Sequence, residues 1–182
     1  MKKSKKSSKM ASFIGFIGAL FGIAAVCMGF MNFVTLTGKL LGKTGELATM
    51  TGFVGAFGSK AGDSTPAWAT LADGSSDGKL TISMKVGILI LFILLAAGAL
   101  LAILGAISKG KVGKFLLALG GLAMIAGAIM AFFSVQLCSF KSVGDASLGY
   151  TYSLGIGAIL AGVFGGVGGL LSTGAGVVSL VK

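Results

Sequence analysis

The sequence predicts an all-α membrane protein: an antiparallel bundle of four transmembrane helices with a long first extracytoplasmic loop. Three observations point there. The 182-residue chain is 55% hydrophobic and 11% charged, with a mean hydropathy of +1.00, whereas soluble domains carry roughly 25% charged residues. Four stretches hold no charged residue: Met10–Gly38, Val86–Ser108, Phe115–Phe140 and Ala146–Val181. The lysines and acids are segregated among the segments that join them. A water-soluble core of this size cannot cover so much apolar surface, so lipid is the solvent for much of the chain.

Each stretch supplies the ~20 predominantly apolar residues that a bilayer-spanning helix needs. No strand-like alternation is read in them, and in lipid a helix pairs all its own backbone groups. The expected order is a basic tail (1–10), a first span (11–36), an outer loop (37–84), a second span (85–108), a link (109–113), a third span (114–137), a short outer loop (138–150), a fourth span (151–175) and a second tail (176–182). The fourth stretch is 36 residues long. At ~1.5 Å per residue it would reach ~54 Å as one helix, against a hydrocarbon core of ~30 Å. Tyr150 and Tyr152 are expected at its outer boundary, and Gly174 and Gly176 to loosen its inner end.

Lysine placement orients the spans. Lys2, Lys3, Lys5, Lys6 and Lys9 precede the first span, Lys109, Lys111 and Lys114 fill the link, and Lys182 ends the chain. With both termini inside, these nine lysines are cytoplasmic with no acid among them. Glu46, Asp63, Asp73, Asp77 and Asp145 then lie outside with the other six lysines. The bias of Lys and Arg toward the cytoplasmic side favours this orientation in the cell membrane. A lysine-rich start before an apolar run also has the outline of a signal peptide. However, Val26 is bulky before Cys27, and the run continues to Val34, beyond the ~7–15 residues of a signal core. The segment is therefore read as a retained span.

In the outer loop, Leu47–Gly58 is apolar but too short to cross, so it is read as interfacial or re-entrant. Ser59–Gly78 is polar and carries the sole proline, Pro66, and the sole tryptophan, Trp68. Trp68 is a candidate surface anchor or partner contact. Leu80–Ile82 is read as a short strand.

Glycine, with 32 copies, is the most informative residue. In the first span Ala11, Gly15, Gly18, Gly22, Ala25, Gly29 and Asn32 alternate spacings of four and three. In the fourth span Gly155, Ala158, Gly162, Gly165, Gly169, Ser172 and Gly176 do the same. The third span carries a partial copy in Gly113, Gly120, Ala123, Gly127 and Ser134. Lipid tails are as apolar as leucine, so helices gain little hydrophobic energy by associating in a bilayer. They gain dispersion contacts where small residues let backbones approach. A 3.5-residue period keeps such a stripe facing one partner in a left-handed bundle. Gly15, Gly18, Gly22, Gly29, Gly120, Gly127, Gly162, Gly165 and Gly169 are the expected helix-packing positions.

The composition excludes much chemistry. The chain has no histidine and no arginine, which removes imidazole acid–base pairs, histidine metal sites and bidentate phosphate clamps. Cys27 and Cys138 are too far apart in depth for a bridge and too few for a zinc site. Gly162–Gly169 imitates a phosphate loop only in composition. No ionisable side chain lies in a charge-free stretch, whereas coupled transporters and proton relays usually need one. Asn32, Ser134 and Gln136 are the polar candidates, near the outer ends of the first and third spans. No catalytic residue, metal or cofactor is expected. Partners are expected to be the bilayer itself, anionic lipids through the N-terminal lysines, and another copy or another membrane protein. Nucleic acid is not, because long apolar stretches interrupt the charges.

The layout of four spans, a long first outer loop, a short second one and both termini inside resembles the claudin-type tetraspan proteins. It does so over the whole chain, but as topology. Members of that family carry Gly-Leu-Trp followed by two cysteines in the first loop; here the loop reads Pro66-Ala67-Trp68-Ala69 and has no cysteine. Neither motif nor disulfide is carried across. The expected function is a non-enzymatic interaction or structural component of the cell envelope. The alternative is a passive channel or transporter component formed by oligomerisation. Reporter fusions at Lys9, Gly110 and Lys182 should read cytoplasmic, and one at Asp73 should read outside. An outside reading at either terminus would overturn the four-span order.

Overall fold

The computed structural model describes residues 2–40, 43–58, 84–108, 110–138 and 151–181. The elements in chain order are helix α1 (Lys2–Cys27), a 3-10 turn (Met28–Phe30), strands β1 (Asn32–Leu40) and β2 (Lys43–Thr51), and helices α2 (Gly52–Phe57), α3 (Val86–Ile107), α4 (Lys111–Phe132) and α5 (Ser134–Cys138). Strand β3 (Thr151–Leu154) and helix α6 (Ile156–Val181) complete the fold. Among the described residues four helical segments are long and apolar enough to cross a membrane: Met10–Phe30, Val86–Ile107, Lys111–Phe132 and Ile156–Val181. The chain divides into a helical unit (Met1–Cys27, Leu91–Ile129, Ala161–Lys182) and a unit that contains the sheet (Met28–Ile90, Met130–Leu160).

Several boundaries differ from the sequence expectation. The first helix does not run to residue 36: it tightens at Met28–Phe30 and becomes β1 at Asn32. By Phe30 the apolar helical segment already has 21 residues, the length that crossing a hydrocarbon core requires. Val34, Thr35 and Thr37 then bring β-branched side chains that favour extended backbone. At the other end of the chain, Thr151–Leu154 is a strand and not the opening of the fourth helix. That helix passes through Gly174 and Gly176 and ends at Val181. Its last turn is held by two contacts: the Ser179 hydroxyl donates to Ala175 O at 2.6 Å, and Lys114 Nζ of α4 donates to Ser179 O. A cation at a helix C-terminus satisfies a free carbonyl and suits the helix dipole. The third helix starts earlier than expected, at Lys111, because Gly110 turns the chain at φ +94°. It breaks at Phe133 into the single turn α5.

In the helical unit, glycine does two different jobs. At four places it brings backbone against backbone, one of them Gly105 of α3 against Gly113 of α4, where a Cβ would stand 2.7 and 3.0 Å from the other's carbonyl oxygen. A Cβ on Gly98 of α3 would stand 2.7 Å from the Gly120 carbonyl oxygen of α4, and one on Gly120 would stand 2.6 Å from that of Gly98. Gly18 of α1 and Gly168 of α6 block each other in the same way, at 2.7 and 2.5 Å. Gly121 of α4 and Gly169 of α6 do so at 2.6 and 2.7 Å. These distances leave no room for any side chain, so the reciprocal glycine pairs set how closely the helices approach.

Elsewhere glycine cuts a notch for a large side chain. Leu117 fills the notch at Gly15, Leu95 those at Gly127 and Gly165, and Met124 that at Gly22, while Met124 also packs against Gly98 beside its backbone contact. All three large residues are buried. The seam therefore does not exclude bulky side chains, as the stripe by itself implies, but alternates backbone contact with knobs set into glycine holes. Gly162 and Gly176 on the fourth helix are also buried. Ser172 is the one buried hydroxyl on that stripe, and it donates to the Gly15 carbonyl at 3.4 Å. Phe21 and Phe164 meet with ring centroids 6.0 Å apart.

The two kinds of glycine give a direct contrast. Gly98→Ala and Gly120→Ala should each lower stability in detergent by about 1–3 kcal/mol, the usual cost of overpacking. At Gly166 a Cβ meets only Ala128 Cβ, at 3.9 Å. Gly166→Ala should therefore stay within about 0.5 kcal/mol of wild type. Equal melting shifts at the three sites would contradict the reciprocal contact.

Candidate interaction surface

The second unit is built on a three-stranded antiparallel sheet in the order β2-β1-β3. The β1–β2 hairpin pairs Asn32 with Thr51 at one end and Leu40 with Lys43 at the other. Strand β3 joins the opposite side of β1, from Val34↔Leu154 to Thr37↔Thr151. Two side-chain bonds reinforce this second seam: Thr37 Oγ1 donates to Thr151 O at 3.1 Å, and Ser153 Oγ to Thr35 O at 3.3 Å. The sheet therefore ties the segment after the first long apolar helix to the segment before the fourth.

Glycine again sets the approach. Gly155 N–H donates to Phe33 O at 2.8 Å. A Cβ on Gly155 would overlap the Asn32 carbonyl, and one on Gly157 would stand 2.9 Å from that same oxygen and 3.0 Å from Met28 O. Phe33, Val34, Met50, Ala56 and Ile88 form the apolar interior of this unit. Gly29, on the first stripe, is buried here too.

The segment expected to be interfacial or re-entrant, Leu47–Gly58, is divided: Leu47–Thr51 is the end of strand β2, paired with β1, and helix α2 fills the second half. Thr51 caps its start by accepting from Val54 N–H at 3.4 Å. Gly58 ends it at φ 75°, with its N–H on Val54 O at 2.9 Å. Lys85 N–H donates to Gly55 O at 2.9 Å and ties the turn to the start of α3. The result displays aromatic rings. Phe30 and Phe53 meet edge-on at 4.7 Å, and Phe53 and Phe57 stack at 6.2 Å. Phe30 is 76% exposed and Phe57 66%. This ridge was not among the residues singled out from sequence. Its available signal is Phe53 and Phe57 one turn apart behind a threonine N-cap.

Of the polar candidates, Asn32 is exposed at the start of β1, and Gln136 is exposed on α5. Ser134 is fully buried, and its hydroxyl has no hydrogen-bond partner among the described residues. Trp68, the Asp-Gly turns and the Leu80–Ile82 strand lie outside the described residues, as does Tyr150. Tyr152 is half-buried in β3, and burial raises its pKa. Among the described residues no three His, Cys, Asp or Glu side chains gather in a group that could hold a metal.

Both thiols are free: Cys27 exposed on α1, Cys138 buried at the end of α5. Burial pushes the Cys138 thiol up to about 12, outweighing the lowering by the Lys85 charge. No protein-family model matches the chain, and no curated protein aligns with it significantly.

The Cys138 environment has two measurable consequences. In a Cys27→Ser background at pH 9, a water-soluble thiol reagent should label Cys138 roughly 100-fold or more slowly than a free thiol, since the thiolate is the reacting form. The folded state also holds this proton more tightly than the unfolded one. Its contribution to stability is therefore present below pH ~8.5 and declines as pH rises toward the folded value. Cys138→Ala should remove that part of the alkaline destabilisation. Labelling at the free-thiol rate would contradict the buried position.

Proposed function

We propose that the four helices span a bilayer as an antiparallel bundle, with both termini and the 109–113 link cytoplasmic and the sheet outside. In this reading the protein is a non-enzymatic interaction or structural component of the cell envelope, with the claudin-type tetraspan layout. The contact order supports the antiparallel arrangement. On α3 and α4, Gly98 meets Gly120 and Met124, while Gly105 meets Gly113 and Leu117. On α1 and α6, Ser172 lies against both Gly15 and Gly18, and Gly168 meets Gly18 and Gly22. In each pair one number rises as the other falls. The lysine distribution supports the orientation. A sheet that joins a strand from the first loop to one from the second supports the tetraspan comparison.

The observation that carries the functional reading is the reciprocal glycine contact. Helices whose backbones touch at Gly98/Gly120, Gly18/Gly168 and Gly121/Gly169 leave no water between them at those levels. Met124, Leu117 and Leu95 fill the notches between. Such an interior suits a scaffold. The surfaces left to act are the sheet and the Phe30–Phe53–Phe57 ridge, whose exposed aromatic rings are of the kind that anchor at membrane interfaces or partner contacts.

Purified protein in liposomes should give no ion flux above that of empty vesicles. A reproducible flux abolished by Asn32→Leu or Gln136→Leu would replace the structural reading with the channel.

A further inference from the structure

Within the helical unit an open groove of about 370 Å³ runs between α1 and α6. Its walls are apolar: Met10 and Ile14 from α1, and Leu170, Leu171, Gly174 and Val178 from α6. Met10 and Leu170 on its rim are 67% and 68% exposed. Buried Ala175 lies at its floor, and exposed Gly174 leaves the α6 side open, because a Cβ there would meet nothing within 4 Å. This glycine differs from those of the seams: it is unoccupied space, not a contact. The volume lies at the lower end of the ~300–1,000 Å³ of small-ligand sites.

The groove leads toward charge. At 3.6 residues per turn, Lys6 and Lys3 stand on the helical row of Met10 and Ile14, one and two turns nearer the N-terminus. The first nine residues carry five lysines and no acid. On α6, Val178 lies in the last turn of the helix, at the same end of the groove as Met10. An apolar trough that opens at a cationic helix end is the outline of one phospholipid molecule with a negative headgroup.

We propose that this groove holds an acyl chain of an anionic phospholipid, with the headgroup at the Lys3–Lys6 end of α1. The inference rests on the reading of the helices as membrane spans with their lysine-rich ends at one leaflet. It adds a particular site to the general attraction of lysines for anionic lipid. Tail burial supplies retention, and the lysine row supplies selectivity. A neutral lipid offers the same tail and lacks the charge.

The test uses the full chain in vesicles of equal phosphatidylglycerol and phosphatidylcholine, followed by native mass spectrometry of the released protein. The wild type should retain one phosphatidylglycerol per chain, at least about fivefold in preference to phosphatidylcholine. Gly174→Phe should fill the groove and lower retention about tenfold without a change in melting temperature, because the added ring enters open space. The Lys3→Gln/Lys6→Gln variant should keep a lipid but bind both kinds equally. Equal retention of the two lipids by the wild type, undiminished retention by Gly174→Phe, or a second protein chain in place of the lipid would overturn the site. Insertion is scored separately by resistance to alkaline extraction. Failure to insert overturns the spanning reading and the site together; insertion without selective retention overturns the site alone.

Discussion

The fold depends on backbone meeting backbone at glycine. In lipid, two leucine-covered helices exchange one apolar neighbour for another and gain little. The gain must come from closer contact than lipid tails can make, and only a residue without a Cβ allows it. The pairs Gly98/Gly120, Gly18/Gly168 and Gly121/Gly169 each close on the other's carbonyl oxygen. They join α3 to α4, α1 to α6 and α4 to α6. Once these distances are set, the positions of Leu95, Leu117 and Met124 follow, since each drops into a notch that a neighbouring glycine leaves. The outward faces are free to be large and apolar, as Phe13, Ile93, Leu122 and Val163 are.

The same device recurs in the sheet-bearing unit for a different purpose. There Gly155 and Gly157 let the start of the last helix press on the carbonyls of Asn32 and Met28, while β3 pairs with β1. The first and second loops thus form one structure from segments more than a hundred residues apart in sequence. The glycine-rich composition is the material of both units. For the proposed role, this means a closed interior and an exterior that is available for contact.

Much of the helical part was legible in the sequence. Charge-free stretches located four apolar helices, and the second began and ended within one residue of the expected limits. The spacing of Gly15, Gly18 and Gly22 was visible, but what they face was not: the same stripe meets a carbonyl at Gly18 and a thioether at Gly22. Hydropathy was blind to the strands, because the charge-free stretch that holds the first helix runs on to Gly38 and the one that holds the last begins at Ala146, so each takes in a strand with its helix. The deciding signals were the β-branched Val34, Thr35 and Thr37, which pair with β2 on one side and, on the other, with β3 more than a hundred residues away. The aromatic ridge depends on a turn capped by Thr51 and on Phe30 arriving beside it, a juxtaposition that composition does not report. The position of Cys138, as a buried thiol one turn after buried Ser134, is likewise set by α5 and not by any motif.

The central claim is that these helices pack against one another within a single chain at glycine-determined distances. Ala128 of α4 and Gly166 of α6 offer the most direct measurement, because a Cβ on Gly166 would lie 3.9 Å from that of Ala128, close to the ~3.8 Å typical of a disulfide. In a chain with Cys27 and Cys138 replaced by serine, Ala128→Cys/Gly166→Cys in native membranes should oxidise to an intramolecular disulfide that leaves the protein monomeric. Failure to cross-link, or cross-links only between chains, would contradict the account.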